Sequence, residues 1–448
     1  MKILLNVLLA GVVCASFASA AEPDFDAVVK ERLGAAQTPS CIAAALVGEK
    51  TQEALACTET IAAIPFDRDS AFEIGSITKG FTGLLLADMV LRGEVSLDDL
   101  ASKYSRPGAK LPTYGGRDIT LRDLVTQTSG LPRLPPGFAP RDMRNPYADF
   151  DADALYAALA RTEIKHPMGT PEYSNFGFMW LSEMLARRGG KHFDVLVKER
   201  ILDPLGMTDS FFIPTEAQRA RLVQPHAVPF EPTPVWDFSV DLAGVGGLRS
   251  TLADMEKLAS ALAGRRDTPL KEAIALALDP IRPSEGPGNF TGFGWVTTSR
   301  DGMLIQWHNG GTGGSRAMIA VNPRTRTAAI VLVNSAVSFD DLPRHLVEPR
   351  FPLTKKHVRV EIEPEARVQY VGRYEFGARG VLDVFVDGGR MMARMSGQPA
   401  IEIAPEGSDR FFTIGVDASL EFKRNAASAV DAVVLRQSGI EIRAQRLP

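Results

Sequence analysis

Phe72-Glu73-Ile74-Gly75-Ser76-Ile77-Thr78-Lys79 is the stretch from which the rest of this sequence is read. A glycine leads into a Ser-x-x-Lys tetrapeptide. The apolar residues that follow, among them Phe81, Leu84, Leu85 and Met89, recur at helical spacing as far as Gly93. The pattern predicts a helix over residues 76–91 that opens on the serine. On such a helix Ser76 and Lys79 lie one turn apart on one face, and the serine N–H has no partner inside the helix. A lysine beside a serine acts as a base when it is partly desolvated or close to another cation. Alone, the tetrapeptide is weak. Average composition gives about one Ser-x-x-Lys by chance in a chain of this length, and an N-cap serine with a solvated lysine fits equally well.

Two further groups stand downstream. Tyr173-Ser174-Asn175 lies in a loop before a helix predicted over residues 176–188. A tyrosine whose pKa is lowered by a cation is a general base, and the asparagine can hold a substrate amide and the lysine. The plain alternative is a packed aromatic followed by an N-cap asparagine. His308-Asn309-Gly310-Gly311 ends a predicted strand, where glycines allow close approach of a ligand to the backbone. A hairpin turn with an incidental histidine is its alternative. Ser76 is the only serine of a Ser-x-x-Lys in the chain, and Tyr173 the only tyrosine of a Tyr-x-Asn.

The chain has 448 residues, 45 % hydrophobic and 23 % charged, which predicts more than one domain with a substantial core. A net charge of −4 with scattered basic residues argues against a nucleic-acid partner and a polybasic membrane patch. Lys2, the apolar run 3–13 and Ala18-Ser19-Ala20 predict a signal peptide cleaved after Ala20, hence an exported, periplasmic protein. Val13 stands where a small residue would precede a lipidated Cys14. No later apolar run is long enough to span a bilayer. Cys41 and Cys57 flank a predicted hairpin (42–47 and 54–58, turning at Gly48-Glu49-Lys50). A disulfide and two small buried hydrophobes both fit.

Helices are expected at 24–33, 119–127, 152–162, 193–201 and 255–263, the last behind the capping pattern Thr251-Leu252-Ala253-Asp254. The proline-rich loop 131–149 is long enough to suggest a functional role. Strands follow at 304–308, 316–321 and 328–334, so a sheet drawn from both ends of the chain with a helical insert is the natural architecture. Residues 349–366 read as a linker. Strands at 381–386, 391–396, 411–415, 420–423, 432–436 and 441–446 make 367–448 a small all-β domain.

Taken together, the three motifs resemble those of class C β-lactamases and low-molecular-mass penicillin-binding proteins: Ser-x-x-Lys, Tyr-x-Asn, and Lys-Thr-Gly or His-x-Gly. The likeness extends from about residue 25 to 345, through Thr128-Ser129-Gly130-Leu131-Pro132, Pro204-Leu205-Gly206-Met207 and Gly246-Gly247-Leu248-Arg249-Ser250-Thr251. It implies an α/β (α+β) fold over residues 21–348, an antiparallel sheet flanked by helices with a helical subdomain. The final β domain resembles a lipocalin-like appendage. The resemblance further implies Ser76 as nucleophile, Lys79 as its proton-transfer partner and Tyr173 as base and leaving-group acid. Asn175, His308, Asn309, Gly310 and Gly311 bind the substrate, with the N–H groups of Ser76 and Gly311 as oxyanion hole. It implies neither cofactor nor metal. The substrate is a small molecule or peptidoglycan-derived, a β-lactam or D-alanyl peptide. A carboxylesterase and a catalytically silent binding protein are the alternatives. No Gly-x-Ser-x-Gly supports an α/β-hydrolase. His308 departs from the lysine usual in β-lactamases. With an ordinary pKa of about 6.5 it is expected to gain a charge on the acid side.

Overall fold

The computed structural model describes residues 24–36, 38–59, 65–228, 230–377, 380–396, 398, 400–414, 418–437 and 440–447. The predicted signal segment lies outside them. The N-terminal hairpin pairs β1 (Cys41–Val47) with β2 (Thr51–Cys57). Three two-stranded patches follow: β3 (Ala71–Glu73) with β8 (Arg249–Thr251), β4 (Thr113–Tyr114) with β5 (Arg117–Asp118), and β6 (His226–Ala227) with β7 (Glu231–Pro232). The strands β9 (Arg282–Pro283), β10 (Asn289–Thr291), β11 (Val296–Arg300), β12 (Met303–Gly311), β13 (Arg316–Asn322) and β14 (Thr327–Val333) complete an eight-stranded sheet. Its order is β2-β1-β14-β13-β12-β11-β10-β9, antiparallel throughout.

Every residue of β1 is buried, because the sheet is covered on both faces. Ala43, Ala45 and Val47 pack with Ile319, Ile330 and the helical layer. Ile42, Ala44 and Leu46 pack with Met318, Val331, helix α1 (Phe25–Gly34) and the helix Asp341–Val347. A continuous apolar run is what two covered faces require of a strand. Helix α2 (Thr78–Leu91) runs through the first core with Thr78 to Met89 all buried, hence its apolar character all round. Cys41 stands opposite Cys57 in the β1–β2 register, and the two form a disulfide.

The helical subdomain contains α3 (Leu121–Val125), α4 (Ala152–Ala160), α5 (Asn175–Gly189) and α6 (Phe193–Val197), which continues as a π-helical stretch over Lys198–Leu202. The helix Leu252–Leu262 begins as its capping pattern predicts, Thr251 Oγ1 accepting from Asp254 N at 3.1 Å. The helix Lys271–Leu278 was not anticipated. The long 131–149 loop is held through Tyr147 against the aromatic segment at 236–238. Tyr147 stacks on Phe238 at 4.9 Å and meets Trp236 at 5.4 Å.

The C-terminal strands β15 (Gly372–Glu375), β16 (Val381–Asp387), β17 (Arg390–Met395), β18 (Ile401–Gly407), β19 (Arg410–Thr413), β20 (Ala418–Arg424), β21 (Val430–Gln437) and β22 (Ile440–Arg446) close into a barrel. Sequence pattern missed two of them. β15 has only four residues, and β18 carries Pro405 beside a register shift, features that argue against a strand. The barrel core is aromatic, with Tyr370, Tyr374, Phe411 and Phe422 at ring distances of 4.7 to 5.6 Å. Among the described residues no helix is long and apolar enough to cross a membrane.

Candidate active site

Ser76 does not open the α-helix itself. It sits in a 3-10 turn, Gly75–Ile77, just ahead of α2, and its side chain is half-buried. Lys79, in the first turn of α2, is fully buried. Its Nζ donates to Ser76 Oγ at 2.9 Å and to the Val245 carbonyl at 2.7 Å. The segment carrying Val245 is stitched to the same helix. Thr82 Oγ1 donates to Gly244 O at 2.7 Å, and Leu248 N donates to Thr78 Oγ1 at 3.1 Å. Burial holds the Lys79 ammonium well below its usual range, and the Arg133 charge lowers it further.

Tyr173 brings its ring to 4.9 Å from Lys79 Nζ and 5.0 Å from the Arg133 guanidinium carbon. The expectation that a cation would lower its pKa is reversed. Burial pushes the phenol up to about 12, against the opposing pull of the Ser76 hydroxyl and Arg133. Tyr173 therefore stays protonated near neutrality, whereas the same burial disfavours the charged form of Lys79.

Asn175 is the first residue of α5 rather than a loop residue, because Ser174 caps the helix by accepting from Gly177 N at 2.9 Å. Its Nδ2 donates to the Tyr147 hydroxyl at 3.2 Å. Its Oδ1 is buried without a hydrogen-bond partner. The expected bond to the lysine is absent, since Lys79 uses Ser76 and Val245 instead.

The third motif forms the last four residues of β12. A Cβ on Gly310 would fall 1.9 Å from Ile74 O and 2.9 Å from Ser76 N; one on Gly75 would fall 2.4 Å from Gly311 N. The missing side chains thus let this strand end lie against the serine turn. His308 pairs with Ile319 and faces the α2 side of the sheet. Its Nδ1 lies 2.5 Å from its neighbour's carbonyl, Asn309 O. Burial, with Lys79 adding to it, lowers its pKa to about 3. The acid-side charge expected of His308 is therefore absent through the ordinary working range. Strand alternation sends the Asn309 side chain to the opposite face, where Nδ2 donates to Asp340 Oδ2 at 2.5 Å.

Several neighbours were not singled out from sequence. Glu73, buried one strand-end before Ser76, accepts from Trp236 N at 2.7 Å, Thr312 Oγ1 at 2.8 Å and Ser315 Oγ at 3.2 Å. It ties the turn after β12 to the strand before the serine. The signal was an acid between Phe72 and Ile74 in an otherwise apolar strand. Arg133 and the Val245 carbonyl left no such mark.

A profile of the beta-lactamase family matches residues 25–348. The D-alanyl-D-alanine-carboxypeptidase/endopeptidase AmpH of Escherichia coli K12 is 32 % identical over 283 residues, 59 % of this chain and 71 % of that protein. Penicillin-binding protein 4* of Bacillus subtilis is 23 % identical over 85 % of this chain and 89 % of its own length. The octameric penicillin-binding protein homologue from Pyrococcus abyssi superposes with a TM-score of 0.62 at 20 % identity, covering 95 % of this chain and all of that one. The family match spans well over half of the chain, on the domain that holds the three motifs: this protein belongs to the beta-lactamase family.

Proposed function

We propose that the chain is an exported serine acyl hydrolase that forms an acyl-enzyme at Ser76 with a D-alanyl peptide or β-lactam. The observation that carries this is the buried Lys79 Nζ at 2.9 Å from Ser76 Oγ. In its amine form Lys79 takes the Oγ proton as Oγ attacks the substrate carbonyl. The oxyanion that develops is held by the N–H groups of Ser76 and Gly311. Collapse breaks the acyl–nitrogen bond, and the leaving nitrogen takes a proton from the Tyr173 hydroxyl, which Lys79 resupplies. Water then attacks the acyl-enzyme, losing its proton along the same route, and regenerates Ser76. Asn175 Oδ1, buried and without a partner, suits a substrate amide N–H. The relative named as a D-alanyl-D-alanine-carboxypeptidase/endopeptidase supports the peptide substrate. The signal-like N-terminus and the Cys41–Cys57 disulfide support export to an oxidising compartment.

The test is labelling with a fluorescent penicillin and a fluorophosphonate. The parent protein is expected to be labelled and Ser76→Ala spared; equal labelling of both sinks the proposal. Lys79→Ala and Tyr173→Phe each lose labelling severely and non-additively. A carboxylesterase using the same groups is the second reading, favoured by a neutral His308 that offers no fixed charge to a substrate carboxylate. Parallel turnover of nitrocefin, a nitrophenyl ester and a D-Ala-D-Ala peptide separates the two.

A further inference from the structure

Arg133 follows Pro132 at the start of the long loop, and the α5 N-terminus pins its backbone. Its carbonyl accepts from Asn175 N at 3.0 Å and Phe176 N at 3.3 Å. From there the guanidinium folds over the Tyr173 ring, 5.0 Å from its centroid, with the side chain exposed. The loop's other arginines are spoken for: Arg141 by Asp149 at 3.5 Å and Arg144 by Asp142 at 3.0 Å. Arg133 has no carboxylate partner among the described residues. The nearby Glu285 is held by Tyr173 N, which donates to its Oε1 at 3.0 Å.

The other polar side chains lining the site are committed elsewhere or carry no charge. Lys79 is buried against Ser76 and Val245. Arg316, beside Gly311, donates to the carbonyls of Thr312 and Ser315 at 2.7 and 3.0 Å. His308 is buried, and the Asn309 side chain is held by Asp340. An arginine free at the cleft and stacked on an aromatic face is a ready receptor for a planar anion.

We propose that Arg133 determines specificity by binding a carboxylate on the acyl portion of the substrate, on the Tyr173–Asn175 side of the cleft. The acyl side is chosen because Asn175, whose free Oδ1 suits the acyl amide, is bonded through its backbone to Arg133 itself. The assignment rests on the acyl-enzyme reading above and adds a substrate class to it: acyl donors bearing an acidic group next to that amide.

Carbenicillin and benzylpenicillin test it, because they share nucleus and leaving group and differ by one carboxylate on the acyl side chain. The quantity read is the ratio of their second-order constants for acylating Ser76, by competition with a fluorescent penicillin. Any influence of Arg133 on Lys79 acts on both compounds and cancels in the ratio. Arg133→Ala and Arg133→Gln, the latter keeping a planar group over Tyr173, are expected to lower the carbenicillin preference about tenfold, with Arg133→Lys recovering part of it. Added salt lowers the preference in the parent and not in the neutral variants. A ratio unchanged in Arg133→Ala, with Ser76 still labelled, overturns this assignment alone. A parent protein that no penicillin or fluorophosphonate labels at Ser76 overturns the acyl-enzyme reading and this assignment with it.

Discussion

Gly310→Ala is the most demanding test of the site's construction. The new Cβ would lie 1.9 Å from Ile74 O and 2.9 Å from both the Ile74 carbonyl carbon and Ser76 N, whereas ordinary contact begins near 3.4 Å. All three are backbone atoms, so no side chain can swing aside, and the strand end and serine turn must part by about 1 Å or more. A misplacement of about 1 Å is enough to cost on the order of a hundredfold in rate. Loss of one oxyanion donor costs about 10²- to 10³-fold. The expected result is a fall of that size in the acylation constant. Overpacking of about 1–3 kcal/mol would lower the melting temperature by several degrees. Stopped-flow acylation by a fluorescent penicillin, beside thermal melts by circular dichroism, measures both. Gly34→Ala is the control, since no atom lies within 4 Å of its Cβ position. Acylation by Gly310→Ala within threefold of the parent would refute the claim that bare backbone contact sets the oxyanion geometry.

Three other outcomes follow from features described above. His308, with its folded pKa lowered to about 3, contributes stability that is complete above about pH 6.5 and lost as pH falls toward 3. His308→Gln is therefore expected to lose about 2.5 kcal/mol less than the parent between neutral pH and about pH 4.5 in urea unfolding; parallel losses refute this. Replacing Cys41 and Cys57 with alanine opens a short loop and is expected to lower unfolding stability by about 3 kcal/mol. An unchanged urea midpoint would show that the hairpin needs no link. Trypsin should cut after the exposed Lys355 or Lys356, between the catalytic sheet and the barrel, and leave two folded pieces. Loss of barrel circular dichroism after cutting would make the two one cooperative unit.

Much of the candidate site was legible because its parts are local. Ser76 and Lys79 are three residues apart, Tyr173 and Asn175 two, and their types mark them as candidates without a fold. What escaped depends on contacts between distant segments. Nothing beside His308 in the chain reports that it is buried, and its low pKa follows from that burial and from Lys79, a helix away. The Val245 carbonyl reaches Lys79 only once α2 and the Gly244–Gly246 segment are stitched together. The direction of Asn309 was within reach, since strand alternation places it opposite to His308 and Gly310 in parity. In the barrel, β18 was hidden by Pro405, which burial of Ile403 and Ala404 on either side of the pleat overrides.

The placing of β1 also dictates when the molecule can exist. Its inner neighbour is β14, with Ile42 paired to Val333, so its second edge stays open until nearly three-quarters of the chain has been made. Until then Cys41–Val47 is an apolar strand with an unpaired row of backbone groups. The serine turn waits as well, since the β12 glycines that press on it arrive just before β14. Such long-range closure makes assembly slow. A chain interrupted before Val333 is thus expected to fail by self-association through the open edge of β1 rather than by weakened chemistry.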